Sequence, residues 1–455
     1  MRRTSRLPPD SRPGPAPGAR LLRVALRLVA MLSPFVLLEL GLWIADYQVV
    51  DNPLMRGLDG ELRIFREEGE HWVVAPEHAQ AILAQPFPRS KAAGEFRIFS
   101  LGDSITWGYG GYAQSVPLRS YTQQLASLLG ARGDGADYRL INCGARSFAS
   151  LRVSAVLEEV LDYGPDLVIV SFGSSEHLEA RTAAMWQREH AIRDSWLGGY
   201  RTRLLVGSWL TRARGGVWGL SVEELRHRDA HLDAPQLAPL CRETSVAEGL
   251  ATAAATRARL GAMAALTAQA QVPLVLLTVP AHLRWPPFAG LPSQIEHRPD
   301  VEQAIVQAST ALQEGRPREA LDGLEAALAE HPGIAALHYL RGQALDATER
   351  WDEAARAYLQ ARDLDACPLR ARGAHNRLLE EVAAAHAHVQ VVQVEPALAA
   401  QLADGIPDGR LFLDHCHPTE AGHAVLAQAI LEVLEERGLL PGGDEAVVLE
   451  AAGHP

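Results

Sequence analysis

The chain has 455 residues, which exceeds one ordinary domain and indicates two or three structural units. Its composition is 47% hydrophobic and 22% charged, which is typical of globular α/β proteins and excludes a wholly disordered chain. The formal net charge of -12, without a Lys/Arg stripe in the part expected to fold, argues against a nucleic-acid partner.

The N-terminal region combines positive charge with an apolar run. Residues 1–27 hold seven arginines and one acidic residue, and they predict a disordered cationic tail on the cytoplasmic side. Residues 28–45 form an apolar run about as long as a bilayer core is thick, so we predict a single-pass transmembrane anchor with the remainder on the periplasmic side. Glu39 weakens that prediction. A cleaved signal peptide and a core helix of a soluble enzyme remain alternatives.

Five short apolar runs follow a predicted linker over residues 46–94. They alternate with longer helical patterns, and continuous apolar runs are typical of parallel strands that are buried on both faces. The sequence therefore predicts a three-layer α/β/α sandwich with a five-stranded parallel sheet. The predicted strands are Phe96 to Leu101, Tyr138 to Cys143, Leu167 to Phe172, Val272 to Thr278 and Val389 to Val394.

Residues 298–369 interrupt this alternation with helical patterns alone. Similar side chains recur 34 residues apart there, as in Ala320 and Ala354 or Leu324 and Tyr358. The segment resembles a pair of tetratricopeptide repeats, which implies an all-α insert that presents a surface to a protein partner. A plain helical hairpin remains the alternative.

The insert divides the main domain into residues 95–297 and 370–440, and residues 441–455 are predicted to be a flexible tail. Residues 177–240 contain four tryptophans but no assignable pattern, and we interpret them as a lid or a surface insertion.

The first candidate site residue is Ser104, in the stretch Gly102 to Gly108 (GDSITWG) that follows the first strand. Open α/β sheets bind ligands at this edge, and a serine on a tight turn there exposes its hydroxyl as a nucleophile. Thr106 stands where a G-x-S-x-G elbow has its second glycine, so that elbow is excluded. The glycine spacing also fits no phosphate-binding loop.

The second candidate pair is Asp414 and His417, which lie three residues apart just before a helix predicted to begin at Pro418. The carboxylate can orient the imidazole, which then accepts the Ser104 proton. His415, Cys416 and His423 with His417 offer an alternative metal site, but they lack the H-E-x-x-H arrangement. We predict neither a metal nor another cofactor.

Together these motifs resemble the SGNH (GDSL-like) hydrolase family. GDSITWG is similar to its first block, with Ser104 as nucleophile, and Asp414 to His417 is similar to its D-x-x-H block. Asn142-Cys143-Gly144 is similar to its second block, which implies that Gly144 donates a backbone N–H to an oxyanion hole. Gly173 to Glu176 is similar to its third block, although Ser175 stands where the family carries asparagine.

The resemblance implies a flavodoxin-like SGNH fold and a serine esterase that acts on O-acyl esters of envelope or exported glycans. Its oxyanion hole would comprise Ser104, Gly144 and Ser175. Two alternatives stay open: an O-acyltransferase of the same fold, and an inactive SGNH scaffold that presents the repeats to a protein partner. The second is open because a serine hydroxyl is shorter than the asparagine carboxamide that Ser175 replaces.

Overall fold

The computed structural model describes residues 17–44, 57–58, 62–79, 81–109, 118–193, 243–292 and 298–441. The chain divides into two units. One comprises residues 1–51 and 189–220, and the other comprises residues 52–188 and 221–455. Most of the tryptophan-rich segment and the C-terminal tail from residue 442 therefore lie outside the described residues.

Helix α1 (Pro17–Ile44) belongs to the first unit and contains the apolar run. Its large apolar side chains are exposed, with Phe35 and Leu37 each about two-thirds accessible to solvent. Among the described residues, no helix combines the length and apolarity that crossing a bilayer requires. The helix covers residues 28–44 of the predicted anchor, and Pro34 and Glu39 lie within it.

The second unit contains the predicted five-stranded sheet, and all of its strand pairs are parallel. The strands are β4 (Glu95–Gly102), β5 (Asp137–Gly144), β6 (Leu167–Ser171), β7 (Leu274–Leu277) and β8 (Val389–Val392). Their order in the sheet is β5-β4-β6-β7-β8, so β4 has a neighbouring strand on each side. The carboxyl ends of β5 and β6 consequently flank the end of β4.

Helices cover both faces of this sheet, which confirms the predicted α/β/α layers. Alternate side chains along β4 point to opposite faces, so Phe99 and Leu101 enter one core while Ile98 enters the other. Helices α4 (Ser150–Leu161), α6 (Val246–Gln269) and α11 (Gly373–Ala385) pack on the Phe99 face, and α3 (Tyr121–Gly130) and α13 (Glu420–Glu436) pack on the Ile98 face. The remaining helices of this part are α2 (Ser104–Trp107), α5 (Glu176–Arg193) and α12 (Val394–Ala399).

The segment predicted to be a linker contains a second sheet, so that prediction is wrong for its central part. Strands β1 (Phe65–Glu68), β2 (His71–Val74) and β3 (Phe87–Pro88) form an antiparallel sheet. Phe65 and Phe87 are buried in the main core. Glu159 of α4 accepts hydrogen bonds from the backbone N–H groups of Ile64 and Phe65 at 2.6 and 2.9 Å. This carboxylate fixes the segment against the parallel sheet.

The predicted all-helical segment forms four helices that share one core. They are α7 (Pro299–Gln313), α8 (Pro317–Glu330), α9 (Ala335–Asp346) and α10 (Trp351–Leu364). Arg284, which follows β7, pairs with Asp346 of α9 at 2.6 Å and with Asp408 at 2.5 Å. The ion pairs therefore connect these helices to the loop that precedes Asp414.

Gly342 of α9 is predicted to be essential to the packing of α9 against α10. An added Cβ would lie 2.7 Å from ring carbons of Tyr358, and a buried aromatic ring cannot move aside without disturbing its neighbours. We expect Gly342→Ala to lower the free energy of unfolding by about 1–3 kcal/mol, measured by urea denaturation.

Gly323 of α8 provides the matched control, because a Cβ there meets nothing within 4 Å. Alanine in an exposed helix interior stabilises by about 0.5–1 kcal/mol relative to glycine. Equal unfolding free energies for the Gly342→Ala and Gly323→Ala proteins would contradict the described contact.

Candidate active site

Ser104 lies at the first position of α2, immediately after β4. Asp103 is the N-cap: its Oδ1 accepts a hydrogen bond from the Ile105 N–H at 2.9 Å. The turn is tight because Gly102 packs against the neighbouring strand β6. An added Cβ would lie 2.1 Å from the carbonyl oxygen of Ser171. The Gly-Asp-Ser order therefore produces a sharp strand-to-helix turn with a half-buried serine at its tip.

Asp414 organises the turn that carries His417. Its Oδ1 accepts hydrogen bonds from the backbone N–H groups of Cys416 and His417 at 3.0 and 2.9 Å. Its Oδ2 lies 2.7 Å from His417 Nδ1. The three-residue spacing lets one buried carboxylate bind both the backbone and the imidazole of the same turn.

The structure brings Ser104 and His417 together across 313 positions of the chain. Ser104 Oγ lies 2.8 Å from His417 Nε2. Because Nδ1 faces the Asp414 carboxylate, the neutral ring carries its proton on Nδ1 and its Nε2 accepts from the serine hydroxyl. The predicted Ser104, His417 and Asp414 thus form a continuous hydrogen-bonded chain.

Charge within this chain is strongly coupled. Burial disfavours the imidazolium, yet the Asp414 carboxylate and the Cys416 sulfur together outweigh burial and hold the pKa of His417 well above its usual range. Burial alone would raise the pKa of Asp414, but His417 and His415 hold it well below its usual range. The ionised carboxylate therefore stabilises a proton on the imidazole.

Several side chains beside the site were not found from the sequence. Tyr109 contacts the His417 ring edge-on, with ring centroids 4.8 Å apart. The Arg146 guanidinium lies over the face of Tyr109, 5.4 Å from its centroid. Burial raises the pKa of Asp103, which directly precedes Ser104, to about 6. The motifs contain Asp103 but give no indication of its titration.

Asp414, Cys416 and His417 form the cluster whose ligand atoms lie within 4.8 Å of one another. The sulfur of Cys416 lies 3.7 and 3.9 Å from the two ring nitrogens of His417. Because the sulfur is almost equidistant from the two ring nitrogens, it lies far from the in-plane lone pair of either one. Cys416 and His417 are therefore poorly placed to bind one metal ion together. His423 Nδ1 instead accepts from the Tyr121 N–H at 3.3 Å.

Gly144, whose backbone N–H is predicted to be an oxyanion donor, lies at the end of β5. Its N–H donates to Asn142 Oδ1 at 2.9 Å. An added Cβ would lie 2.4 Å from the Trp107 backbone nitrogen, so the glycine permits close packing of β5 against α2. The Asn-x-Gly pattern is therefore explained by local structure.

The loop after β6 contains Ser175, which is half-buried and lies just before α5. Its carbonyl oxygen accepts from the Glu179 N–H at 2.8 Å. Next to it, Glu176 is buried and accepts hydrogen bonds from Ser150 of α4. Ser147, in the loop after β5, has a left-handed backbone with φ of 62°. Nothing in the sequence indicated the contacts of Glu176 or the conformation of Ser147.

Comparison with known proteins gives one strong match. The profile of the GDSL-like lipase/acylhydrolase family matches residues 100–425. No curated protein matches the chain.

Solved structures that resemble the chain do so weakly. LAE5, an alpha/beta hydrolase from the Lake Arreo metagenome, is 16% identical, with a TM-score of 0.33 and coverage of 74% of this chain and 94% of that one. A GDSL-like lipase from Bacteroides thetaiotaomicron is 11% identical, with a TM-score of 0.32 and coverage of 77% and 93%. The acetylxylan esterase Axe2 from Geobacillus stearothermophilus is 14% identical, with a TM-score of 0.32 and coverage of 74% and 93%.

The Asp414 carboxylate is predicted to control the pKa of His417. We expect Asp414→Asn to lower that pKa, because the amide removes the negative charge while burial of the imidazole remains. An NMR titration of the His417 imidazole measures the change.

Asp408→Asn is the matched control, since Asp408 pairs with Arg284 and Arg410 in the same stretch of chain. We expect the pKa of His417 to be unaffected by it. Equal His417 pKa values in the Asp414→Asn and wild-type proteins would show that another group sets the imidazole charge.

Proposed function

This chain belongs to the GDSL-like lipase/acylhydrolase family and is an ester-hydrolysing enzyme, and we propose that it cleaves O-acyl esters with Ser104 as nucleophile. The observation that supports this mechanism best is the hydrogen-bonded chain from Ser104 Oγ through His417 to Asp414, at 2.8 and 2.7 Å. Both distances are those of direct proton transfer partners.

The proposed reaction has two steps. Ser104 Oγ attacks the ester carbonyl while His417 Nε2 accepts its proton, and the alcohol then departs with that proton as the acyl-serine forms. A water molecule attacks the acyl-serine, again giving a proton to His417, and the carboxylic acid leaves as Ser104 regains its hydrogen. Asp414 remains ionised and stabilises the imidazolium in both steps.

The oxyanion that forms in each step needs hydrogen-bond donors beside Ser104. We propose the Ser104 N–H, at the first position of α2, and the Ser175 hydroxyl as two of them. Gly144 is left out because its N–H donates to Asn142.

Ser104→Ala is predicted to lower kcat for p-nitrophenyl acetate hydrolysis by roughly 10⁴-fold or more, because no nucleophile remains. The full-length chain is assayed beside Ser127→Ala, which removes an exposed serine from α3 and should have wild-type kcat. Equal rates for wild type and Ser104→Ala would leave only an inactive shell of this fold.

The same assay tests the oxyanion hypothesis. One lost oxyanion donor costs on the order of 10²–10³ in kcat in related chemistry, so Ser175→Ala should lower kcat and Ser175→Asn should raise it, with KM little changed. If neither substitution changes kcat, Ser175 makes no contact with the oxyanion.

We also propose that the enzyme works on the extracytoplasmic side, on O-acyl groups of envelope or exported glycans. The support is the arginine-rich N-terminus followed by the exposed apolar helix α1, and the half-buried Trp107 ring beside Tyr109, which suits a sugar face. Alkaline phosphatase fused after residue 46 should be active. An inactive, cytoplasmic fusion protein would contradict the location.

The helical segment from α7 to α10 is proposed to be a tetratricopeptide module that binds a protein partner. Its supports are the 34-residue recurrence, the close Gly342–Tyr358 contact, and the exposed apolar side chains of Val306 and Trp351. A photo-crosslinker at position 306 that captures no specific protein in cells would count against this role.

A further inference from the structure

Two carboxylates at the start of α5 bind the first backbone groups of α4. Glu176 and Glu179 are only 6% and 2% exposed. Glu179 accepts hydrogen bonds from the N–H groups of Ala149 and Leu151 at 3.0 and 2.9 Å, and Glu176 accepts from that of Ser150 at 2.8 Å. Three consecutive backbone N–H groups at the start of α4 thus depend on two side chains of α5.

Glu176 also binds two hydroxyl groups. Its Oε2 accepts from Ser150 Oγ at 2.9 Å and from Thr256 Oγ1 at 2.7 Å. Thr256 lies on α6, as does Arg259, whose guanidinium donates to Ser150 Oγ at 3.1 Å. One carboxylate therefore joins α4, α5 and α6.

Glu179 extends these contacts to Ser147. Its Oε1 accepts from Arg152 Nε at 2.6 Å, and the Arg152 guanidinium also donates to the Ser147 carbonyl oxygen. Ser147 is one of the non-glycine residues with positive φ, a conformation that persists only where its surroundings enforce it. Arg152, held by Glu179, contributes that constraint at Ser147.

The two loops joined in this way lie on either side of the nucleophile. Residues 145–149 follow β5 and residues 172–175 follow β6, while β4 lies between these strands and ends at Gly102, two residues before Ser104. The Ala145 N–H donates to the Gly102 carbonyl, and the Asp103 N–H donates to the Ser171 carbonyl. A shift of either loop therefore displaces the backbone that holds Ser104.

We propose that Glu176 is a positioning residue, which with Glu179 holds the loops after β5 and β6 at the spacing that ester hydrolysis at Ser104 requires. The inference rests on the proposed function. Glu176 itself touches no reacting atom.

Protonation of Glu176 should weaken this arrangement near neutral pH. Burial and the adjacent Glu179 raise the pKa of Glu176 to about 7. The charged groups that face it are Glu179 on α5, Arg152 on α4 and Arg259 on α6. Above its pKa the anion accepts three hydrogen bonds, whereas below it the acid must donate one and accepts the Ser150 N–H less strongly.

Glu176→Gln tests the proposal through a ratio. Glutamine is uncharged at every pH and mimics the protonated acid, so kcat of wild type divided by kcat of the variant should be about ten at pH 8.5 and approach one below pH 6. The His417 titration is common to both proteins and cancels in the ratio. A ratio that does not change with pH overturns the proposal.

A pair of substitutions on α6 provides the control. Thr256→Val removes the hydroxyl that donates to Glu176 and should raise the pKa of Glu176, which moves the midpoint of the kcat ratio to higher pH. Thr252→Val removes a buried hydroxyl one turn earlier, which donates to the Glu248 carbonyl of its own helix, and should leave the midpoint in place. Equal midpoints in the two variants count against Glu176.

Amide hydrogen exchange separates this proposal from the proposed function. Exchange at residues 149–151 should become about tenfold faster in Glu176→Gln than in wild type, whether or not the protein hydrolyses esters. Unchanged exchange overturns the proposal on its own. Absence of turnover by wild type overturns the proposed function instead.

Discussion

The active-site edge depends on the carboxylate of Asp414. An ionised carboxylate is costly to bury unless hydrogen bonds surround it, and here two backbone N–H groups and the His417 imidazole do so. The same hydrogen bonds fix the conformation of the turn, the tautomer of the His417 imidazole and the direction of its Nε2. Because Nε2 is thereby aimed at Ser104, the contact between Ser104 and His417 follows from the hydrogen bonds that this buried charge requires.

Side-chain acceptors also bind backbone N–H groups elsewhere around this edge of the sheet. Asp103 caps α2, Asn142 accepts from Gly144, and Glu176 with Glu179 caps the start of α4. Loops beyond the ends of parallel strands have no ladder partner, so their N–H groups need side-chain acceptors when they are buried. These loops are held in place because side-chain acceptors, from the same loop or from a neighbouring one, bind their backbone N–H groups.

The sequence permitted prediction of the central sheet because its five strands are continuous apolar runs, and it permitted prediction of Ser104, Asp414 and His417 because each stands in a short motif. The β1–β3 sheet escaped prediction, since its strands are two to four residues long and largely exposed. The packing role of Gly144 was not predicted, because a glycine required for close packing and one whose N–H binds an oxyanion look alike in sequence. The partners of Glu176 lie 26 and 80 positions away, beyond any local pattern.

The helical segment from α7 to α10 affects when the enzyme becomes competent during its synthesis. Ser104 emerges from the ribosome before His417, which lies 313 residues later, beyond this helical segment and the last strand of the sheet. Domains fold as units while the chain is being made. A nascent chain that ends before Asp414 therefore carries the proposed nucleophile without its proposed base, and remains inactive until His417 has been added.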